Sequence, residues 1–228
     1  MTKIFTSDLS QYSKHFADHG YVHIPGGLTS EFRKLASRQV EGYLQGPLMD
    51  QFAIGDKEQA LYEFPSDGSD YLQQLFAGVG TVCGLTPSDM TLSERHIKTY
   101  NSDADPKPLA HKDRYASEIS IGFSIDIPKG STLIVYPYDE LDINTFDSTR
   151  EYRANQSAVE SPEQRLATAR RIEINDAPGD VVMFRGHKIW HMRWNAAGST
   201  LLYLKLNTFD CDPLGEDPRS SDLTNVVA

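Results

Sequence analysis

The feature that most constrains the fold of this chain is a series of short apolar segments in its second half, separated by turns rich in glycine and proline. Each segment has the length and residue types of a β-strand; they lie at 92–100, 117–126, 131–136, 170–174, 181–184 and 201–207. Pro128-Lys129-Gly130 and Pro178-Gly179-Asp180 mark two of the turns. We therefore predict a mainly β fold with flanking helices (α+β), a double-stranded β-helix (jelly roll) with N-terminal helical support, rather than a parallel α/β sheet.

The first 92 residues predict the helical support. Helical spacing of apolar residues predicts a helix over 7–19, with Ser7 as its cap and Gly20 as its stop. The remaining elements predicted in this part are a strand at 21–24, a helix from 28 to about 43, a long loop over 44–68 and a helix over 70–82.

We predict one domain over 1–228. Its parts are the support with its loops (1–92), the jelly-roll core (93–209) with an insert at 137–171, and a tail (210–228). Ser161-Pro162-Glu163-Gln164 predicts a helix within the insert, ending near Ala169. Long inserts in compact domains are usually lids or binding loops, and the polar tail is expected to be extended or partly disordered.

Composition limits the class of function. The net charge of −10, from 32 acidic and 22 basic residues, repels phosphate backbones, so we expect no nucleic-acid partner. No apolar run is long enough to span a bilayer and no secretory signal opens the sequence, so we expect no membrane association and a cytoplasmic location. With only Cys83 and Cys211, a zinc ribbon is excluded.

A His-x-Asp pair is the strongest chemical signal. His111 and Asp113 are two residues apart, so on an extended strand both side chains leave the same face and can reach one metal ion. A distant histidine would complete a set of two histidines and one carboxylate, the facial triad that leaves three positions open on non-haem Fe(II). His187 and His191 both compete for that third position.

The order of these motifs resembles a known family. A His-x-Asp, then a Pro-Gly-Asp turn, an apolar strand and a Trp-His resembles the Fe(II)- and 2-oxoglutarate-dependent oxygenases, in particular their phytanoyl-CoA dioxygenase-like branch; the resemblance covers roughly 94–207. It implies Fe(II), 2-oxoglutarate as cosubstrate and O2, with His191 as the third ligand because it follows Trp190. Halogenating relatives replace the carboxylate with a small residue, so Asp113 favours hydroxylation; desaturation and ring formation stay open.

The cosubstrate's distal carboxylate needs a fixed cation. Phytanoyl-CoA dioxygenase-like enzymes usually place an arginine on the strand after the third ligand, but the strand at 201–207 has none. We therefore predict Lys205 or Lys98 as the anchor, assisted by the hydroxyl of Thr200 or Tyr203. Arg114, Arg193 and Trp190 are the predicted substrate-binding residues.

Two functions remain open on these residues. The first is an oxygenase that hydroxylates a small molecule, such as an amino acid or a secondary metabolite, with release of succinate and CO2. The second is a cupin-like metal-binding isomerase or a small-ligand-binding jelly roll that does not turn over 2-oxoglutarate. Turnover of 2-oxoglutarate separates them.

Overall fold

The N-terminal helices form because apolar side chains recur at helical spacing and glycines end the turns. The computed structural model describes residues 2–45, 57–139, 141, 143, 146–147, 149–155 and 161–220. A 3₁₀ turn at Ser10–Tyr12 leads into α1 (Ser13–His19), which ends at Gly20 with φ of 74°. Helices α2 (Ser30–Gln45) and α3 (Tyr71–Cys83) follow, and Asp70 caps α3 by accepting a hydrogen bond from the Gln73 amide.

In the part of the chain that the structure describes, nine strands form two antiparallel sheets. The larger sheet has the order β1-β7-β4-β9-β3-β2 and the smaller one β6-β5-β8. The strands are β1 (Tyr21–Ile24), β2 (Lys57–Leu61), β3 (Thr91–Tyr100), β4 (Ile119–Asp126), β5 (Thr132–Tyr136), β6 (Ile172–Ile174), β7 (Val181–Phe184), β8 (Trp190–Trp194) and β9 (Thr200–Asn207). The mainly β prediction with flanking helices is thus confirmed.

Alternation along β4 shows how the larger sheet separates two environments. Ile119, Ile121 and Phe123 belong to the apolar core shared with the N-terminal helices. Ser120 and Ser124 alternate with them and are also fully buried. Because a strand directs alternate side chains to opposite faces, the face away from the helices carries buried polar groups, and this polar face holds the candidate site.

A second apolar cluster joins the two sheets at one end of this interior. Val182 and Phe184 of β7 pack there with Leu133 and Val135 of β5. A third cluster around Trp190, Tyr152 and Leu166 joins the smaller sheet to two short helices of the insert, α4 (Thr149–Ala154) and α5 (Pro162–Leu166). Among the described helices, none is long and apolar enough to cross a membrane.

Several sequence-based boundaries differ from the structure. The segment predicted as a loop over 44–68 contains β2, whose alternation is obscured by polar residues; positions 46–56 lie outside the described residues. The first helix begins later than Ser7, and α5 ends at Leu166 rather than Ala169. The tail packs in part on β3, where the buried Asp217 carboxylate accepts a hydrogen bond from the Leu92 amide at 2.9 Å. Positions 221–228 lie outside the described residues.

Candidate metal centre

A two-residue bridge between separate segments brings the His-x-Asp to the Trp-His. The His111 amide donates to the His191 carbonyl at 2.9 Å, and the His191 amide donates back to the His111 carbonyl at 2.8 Å. The Asp113 amide donates to the Gly186 carbonyl at 3.0 Å. The backbone of the His-x-Asp segment is therefore fixed along β8 and the turn before it.

The three candidate ligands converge. One side-chain ligand atom from each of His111, Asp113 and His191 lies within 4.8 Å of the others. His191 Nε2 is 3.7 Å from Asp113 Oδ2, and His111 Nε2 is 4.0 Å from Asp113 Oδ1. A single ion fits between atoms at these separations, and two imidazoles with one carboxylate are the donor set of non-haem Fe(II) sites.

Hydrogen bonding and burial hold these side chains in the forms that bind a cation. His191 Nδ1 lies 3.0 Å from the Ile189 carbonyl oxygen; since a carbonyl can only accept, Nδ1 carries the proton and Nε2 presents its lone pair. Burial lowers the pKa of His191. Burial and the neighbouring His191 ring together hold the pKa of His111 well below its ordinary value. Both imidazoles are thus neutral at neutral pH.

The Asp113 carboxylate lies among Lys205, Ser120 and the two candidate histidine ligands. Burial alone would raise its pKa, but the Lys205 ammonium and the two imidazoles hold that pKa well below its usual range. Lys205 Nζ donates to Asp113 Oδ2 and also lies 3.1 Å from Ser120 Oγ, which donates to the same carboxylate oxygen at 2.6 Å. A Cβ at Gly186 would lie 2.0 Å from Ser120 Oγ and 2.9 Å from Asp113 Oδ2, so only glycine leaves room for this arrangement.

A cavity of about 460 Å³ opens onto the candidate ligands. Lys57 of β2 and Lys98 of β3 line it together with His111 and Asp113. Lys98 Nζ donates to Glu94 at 2.9 Å and lies 5.3 Å from the centre of the Tyr203 ring. Burial and the nearby Lys98 charge lower the pKa of Lys57. The lining of the cavity therefore brings the ammonium groups of Lys57 and Lys98 together with the carboxylates of Glu94 and Glu216 beside the candidate ligands.

The predicted cosubstrate residues occupy different positions. Lys98 lines the cavity, whereas the ammonium of Lys205 is engaged by Asp113. Burial, with a smaller effect of the neighbouring Tyr100, raises the pKa of Tyr203 to about 12, so this phenol stays neutral. The Thr200 hydroxyl lies 3.3 Å from that of Thr99 on the adjacent strand.

The predicted substrate-binding residues are also separated. Arg114 is exposed and lines the cavity. Arg193 is instead buried and forms a bidentate pair with Asp176, at 2.9 and 3.0 Å. Trp190 is fully buried, and its indole NH donates to the Leu141 carbonyl. Since successive residues of a strand point to opposite faces, the Trp190 side chain points away from the face that carries His191. Arg193 and Trp190 thus both have hydrogen-bond partners within the protein, and their role in substrate binding stays a prediction.

Sequence reasoning missed Lys57, Ser120 and Gly186. Lys57 lies in the segment that was predicted to be a loop, so no strand face could be assigned to it. Ser120 did carry a signal, because serine alternates with isoleucine and phenylalanine along β4 and so marks a polar buried face. Gly186 has no sequence signal of its own; its role depends on the approach of Ser120 and Asp113.

Comparison with known proteins supports this description of the fold. No family model matches the sequence, and no curated protein sequence matches it. Among solved structures, the α-ketoglutarate-dependent carbocyclase SnoK of nogalamycin biosynthesis is 15% identical with a TM-score of 0.64, covering 86% of this chain and 82% of that chain. The corresponding epimerase SnoN is 15% identical with a TM-score of 0.60, covering 87% and 82%.

A Pseudomonas putida prolyl-4-hydroxylase is 16% identical with a TM-score of 0.55, covering 87% of this chain and 96% of that chain. A Burkholderia pseudomallei protein of the 2OG-Fe(II) oxygenase family is also similar, at 12% identity and a TM-score of 0.58, covering 92% and 96%. At these identities the likeness concerns the fold. The chain shares its fold with solved structures of 2-oxoglutarate- and iron-dependent oxygenases.

Proposed function

We propose that this protein is a non-haem Fe(II)- and 2-oxoglutarate-dependent oxygenase that hydroxylates a small molecule, with release of succinate and CO2. The observation that carries the proposal is the convergence of His111, Asp113 and His191 beside a cavity lined with lysines. Neighbouring structures with this fold contain Fe3+ and α-ketoglutarate in SnoN, and nickel and 2-oxoglutarate in HygX. We interpret the two facing sheets as the double-stranded β-helix of these enzymes.

The residues present fit ferrous iron. The Nε2 atoms of His111 and His191 and one carboxylate oxygen of Asp113 would hold it, leaving part of its coordination sphere to other ligands. Bound Fe(II) would supply the activation of O2 against a C–H bond of the substrate, coupled to conversion of 2-oxoglutarate into succinate and CO2.

Lys205 and Ser120 orient the acidic ligand. Both donate to Asp113 Oδ2, so the carboxylate cannot rotate freely, and Oδ1 is the oxygen nearer His111. Lys205 also offsets the charge of a carboxylate that is largely removed from water. Its role in this proposal is to position a metal ligand, in place of the cosubstrate contact expected from its strand.

Lys98 is the proposed anchor of the distal carboxylate of 2-oxoglutarate. It lines the cavity beside Lys57, and two ammonium groups on one wall favour a dianionic cosubstrate. Glu94 pairs with Lys98 in the structure, and in this proposal the Lys98 ammonium would contact both Glu94 and the cosubstrate carboxylate. Arg193 is less suitable, because Asp176 already occupies both of its terminal nitrogens.

The substrate in this proposal is a small molecule. A cavity of about 460 Å³ suits a compact ligand, and Arg114 at its exposed side can pair with an acidic group. Hydroxylation is the leading reaction, while SnoN and SnoK, an epimerase and a carbocyclase, illustrate other outcomes on this fold. A phytanoyl-CoA dioxygenase-like affiliation and a cytoplasmic location stay predictions from the sequence.

Anaerobic titration of the full chain with Fe(II) and 2-oxoglutarate tests the proposal. We expect a weak visible charge-transfer band that requires both additions. His111→Ala and Asp113→Ala each remove one of the two metal ligands provided by the His-x-Asp segment. Both variants should therefore lose the band and any release of succinate. The exposed His15→Ala is the matched control and should keep the band.

The alternative cupin-like function predicts a different result. A metal-binding isomerase or ligand-binding protein would bind Zn2+ or Mn2+ through the same three residues without a band that depends on 2-oxoglutarate, and without succinate. Full retention of the band in both alanine variants would also contradict the assignment of the ligands.

A further inference from the structure

A second cavity, of about 500 Å³, lies beside the metal centre and carries an excess of positive charge. Its nitrogen-bearing lining residues are His19, Lys112, Arg185, His187 and Lys188. Asp139 is the one carboxylate among the described residues that line it, and its Oδ1 accepts a hydrogen bond from the Leu141 amide at 2.8 Å. Among the described lining residues, the three cations Lys112, Arg185 and Lys188 thus face a single carboxylate.

Two of these cations have no anionic partner among the described residues. Within the described part of the chain, neither Arg185 nor Lys188 forms an ion pair; the Arg185 guanidinium lies 5.7 Å from the centre of the Phe16 ring, which fixes the position of its stem. Lys188 is exposed at the cavity edge. Unpaired cations that converge on a concave surface bind anions more strongly than isolated surface cations do, because their fields add within a recess of low dielectric.

The second cavity adjoins the one at the metal site. Lys112, which is only 6% exposed, lines both cavities, and its neighbours in sequence are the candidate ligands His111 and Asp113. The turn that carries the other cations is bonded to the same segment, since the His187 amide donates to the Ser117 carbonyl at 3.0 Å. A ligand bound among these cations would therefore extend towards the metal.

We propose that this second cavity binds the phosphate group of a phosphorylated small-molecule substrate and so places the rest of that substrate at the metal centre. Donors approach from several elements, α1, the His-x-Asp segment and the turn before β8, and such a spread suits a tetrahedral oxyanion better than a planar carboxylate. The inference rests on the proposed oxygenase function for the role of the ligand as a substrate.

The test is binding of inorganic phosphate to the full chain, followed by ³¹P NMR line broadening and by isothermal titration, with acetate and glycerol phosphate as further probes. Lys188→Gln and Arg185→Gln should each weaken phosphate binding by about tenfold, because each removes a charge-assisted contact. Lys129→Gln, at an exposed turn remote from this cavity, is the matched control and should bind phosphate normally. Acetate should bind more weakly than phosphate.

The outcomes separate the anion site from its role. Absence of phosphate binding, or equal binding in Lys188→Gln and the control, would overturn the site. Exclusion of glycerol phosphate while inorganic phosphate binds would overturn the assignment to a substrate and indicate a free ion. Since the measurement needs neither iron nor 2-oxoglutarate, loss of phosphate binding is distinguishable from failure of the charge-transfer experiment.

Discussion

Replacement of Lys205 by methionine tests whether this lysine balances the charge of a metal ligand. Methionine keeps the length and apolar stem of the side chain but removes the ammonium that contacts Asp113 Oδ2. Lys205 is 5% exposed and the Asp113 side chain 13% exposed, so the carboxylate would lose its charge partner in a largely dry environment. Removing one member of a buried pair costs about 3–5 kcal/mol, and the remaining Ser120 hydroxyl offsets about 1 kcal/mol of that.

We therefore expect the free energy of unfolding of the metal-free protein to fall by about 3 kcal/mol. A bound divalent cation would replace the missing positive charge, so the metal-bound variant should lose only about 1 kcal/mol. The difference of about 2 kcal/mol corresponds to metal binding that is about 30-fold tighter than in the unmodified protein. Urea denaturation with chelator measures the loss of stability in the metal-free protein, and urea denaturation with saturating Fe(II) under argon measures it in the metal-bound protein. Anaerobic titration measures the change in metal affinity.

Lys98→Met is the matched control, since it removes a lysine from the same interior that contacts Glu94 instead of a metal ligand. It should not tighten metal binding. An equal loss of stability with and without metal, or weaker metal binding in Lys205→Met, would refute the charge-balancing role of Lys205.

Three further predictions follow from contacts around the same interior. Gly186→Ala should lower metal affinity and reduce the free energy of unfolding by about 1–3 kcal/mol, because the added Cβ would lie 2.0 Å from Ser120 Oγ. Metal titration and urea denaturation measure these two effects, and unchanged values would show that the added methyl group is accommodated. Arg193→Met should lower the free energy of unfolding, measured by urea denaturation, by about 3–5 kcal/mol, because it leaves the Asp176 carboxylate buried without its partner. The double variant Arg193→Met, Asp176→Asn should recover part of this loss. Equal losses in the single and double variants would show that the ion pair is not the cause. The pKa of Glu94 is held low in spite of burial, chiefly by Lys98, so its stabilisation is complete above the ordinary value of 4.5 and is lost as the pH falls below it. Denaturation midpoints between pH 3 and 6 should therefore depend less on pH in a Glu94→Gln variant, and an unaltered dependence would exclude this carboxylate.

Local sequence patterns were sufficient for most of the secondary structure. Short apolar segments predicted β3, β4 and β9, and Gly20 marked a helix end through its backbone freedom. The strand β2 was missed because it carries mixed polar and charged residues and acquires its strand conformation by pairing with β3. Pairing between distant segments leaves no local period to detect.

The sequence by itself predicted a pair of metal-binding residues, because His111 and Asp113 combine suitable donor atoms with a spacing that places both side chains on one face of a strand. It did not determine what surrounds them. The contact between Lys205 and Asp113, the ion pair that removes Arg193 from the cavity, and the placement of Lys57 beside Lys98 all join residues far apart in the chain. Only the tertiary structure decided these, since the partner of a buried charge is set by sheet register and by packing across the interior, and neither is encoded in any short stretch of sequence.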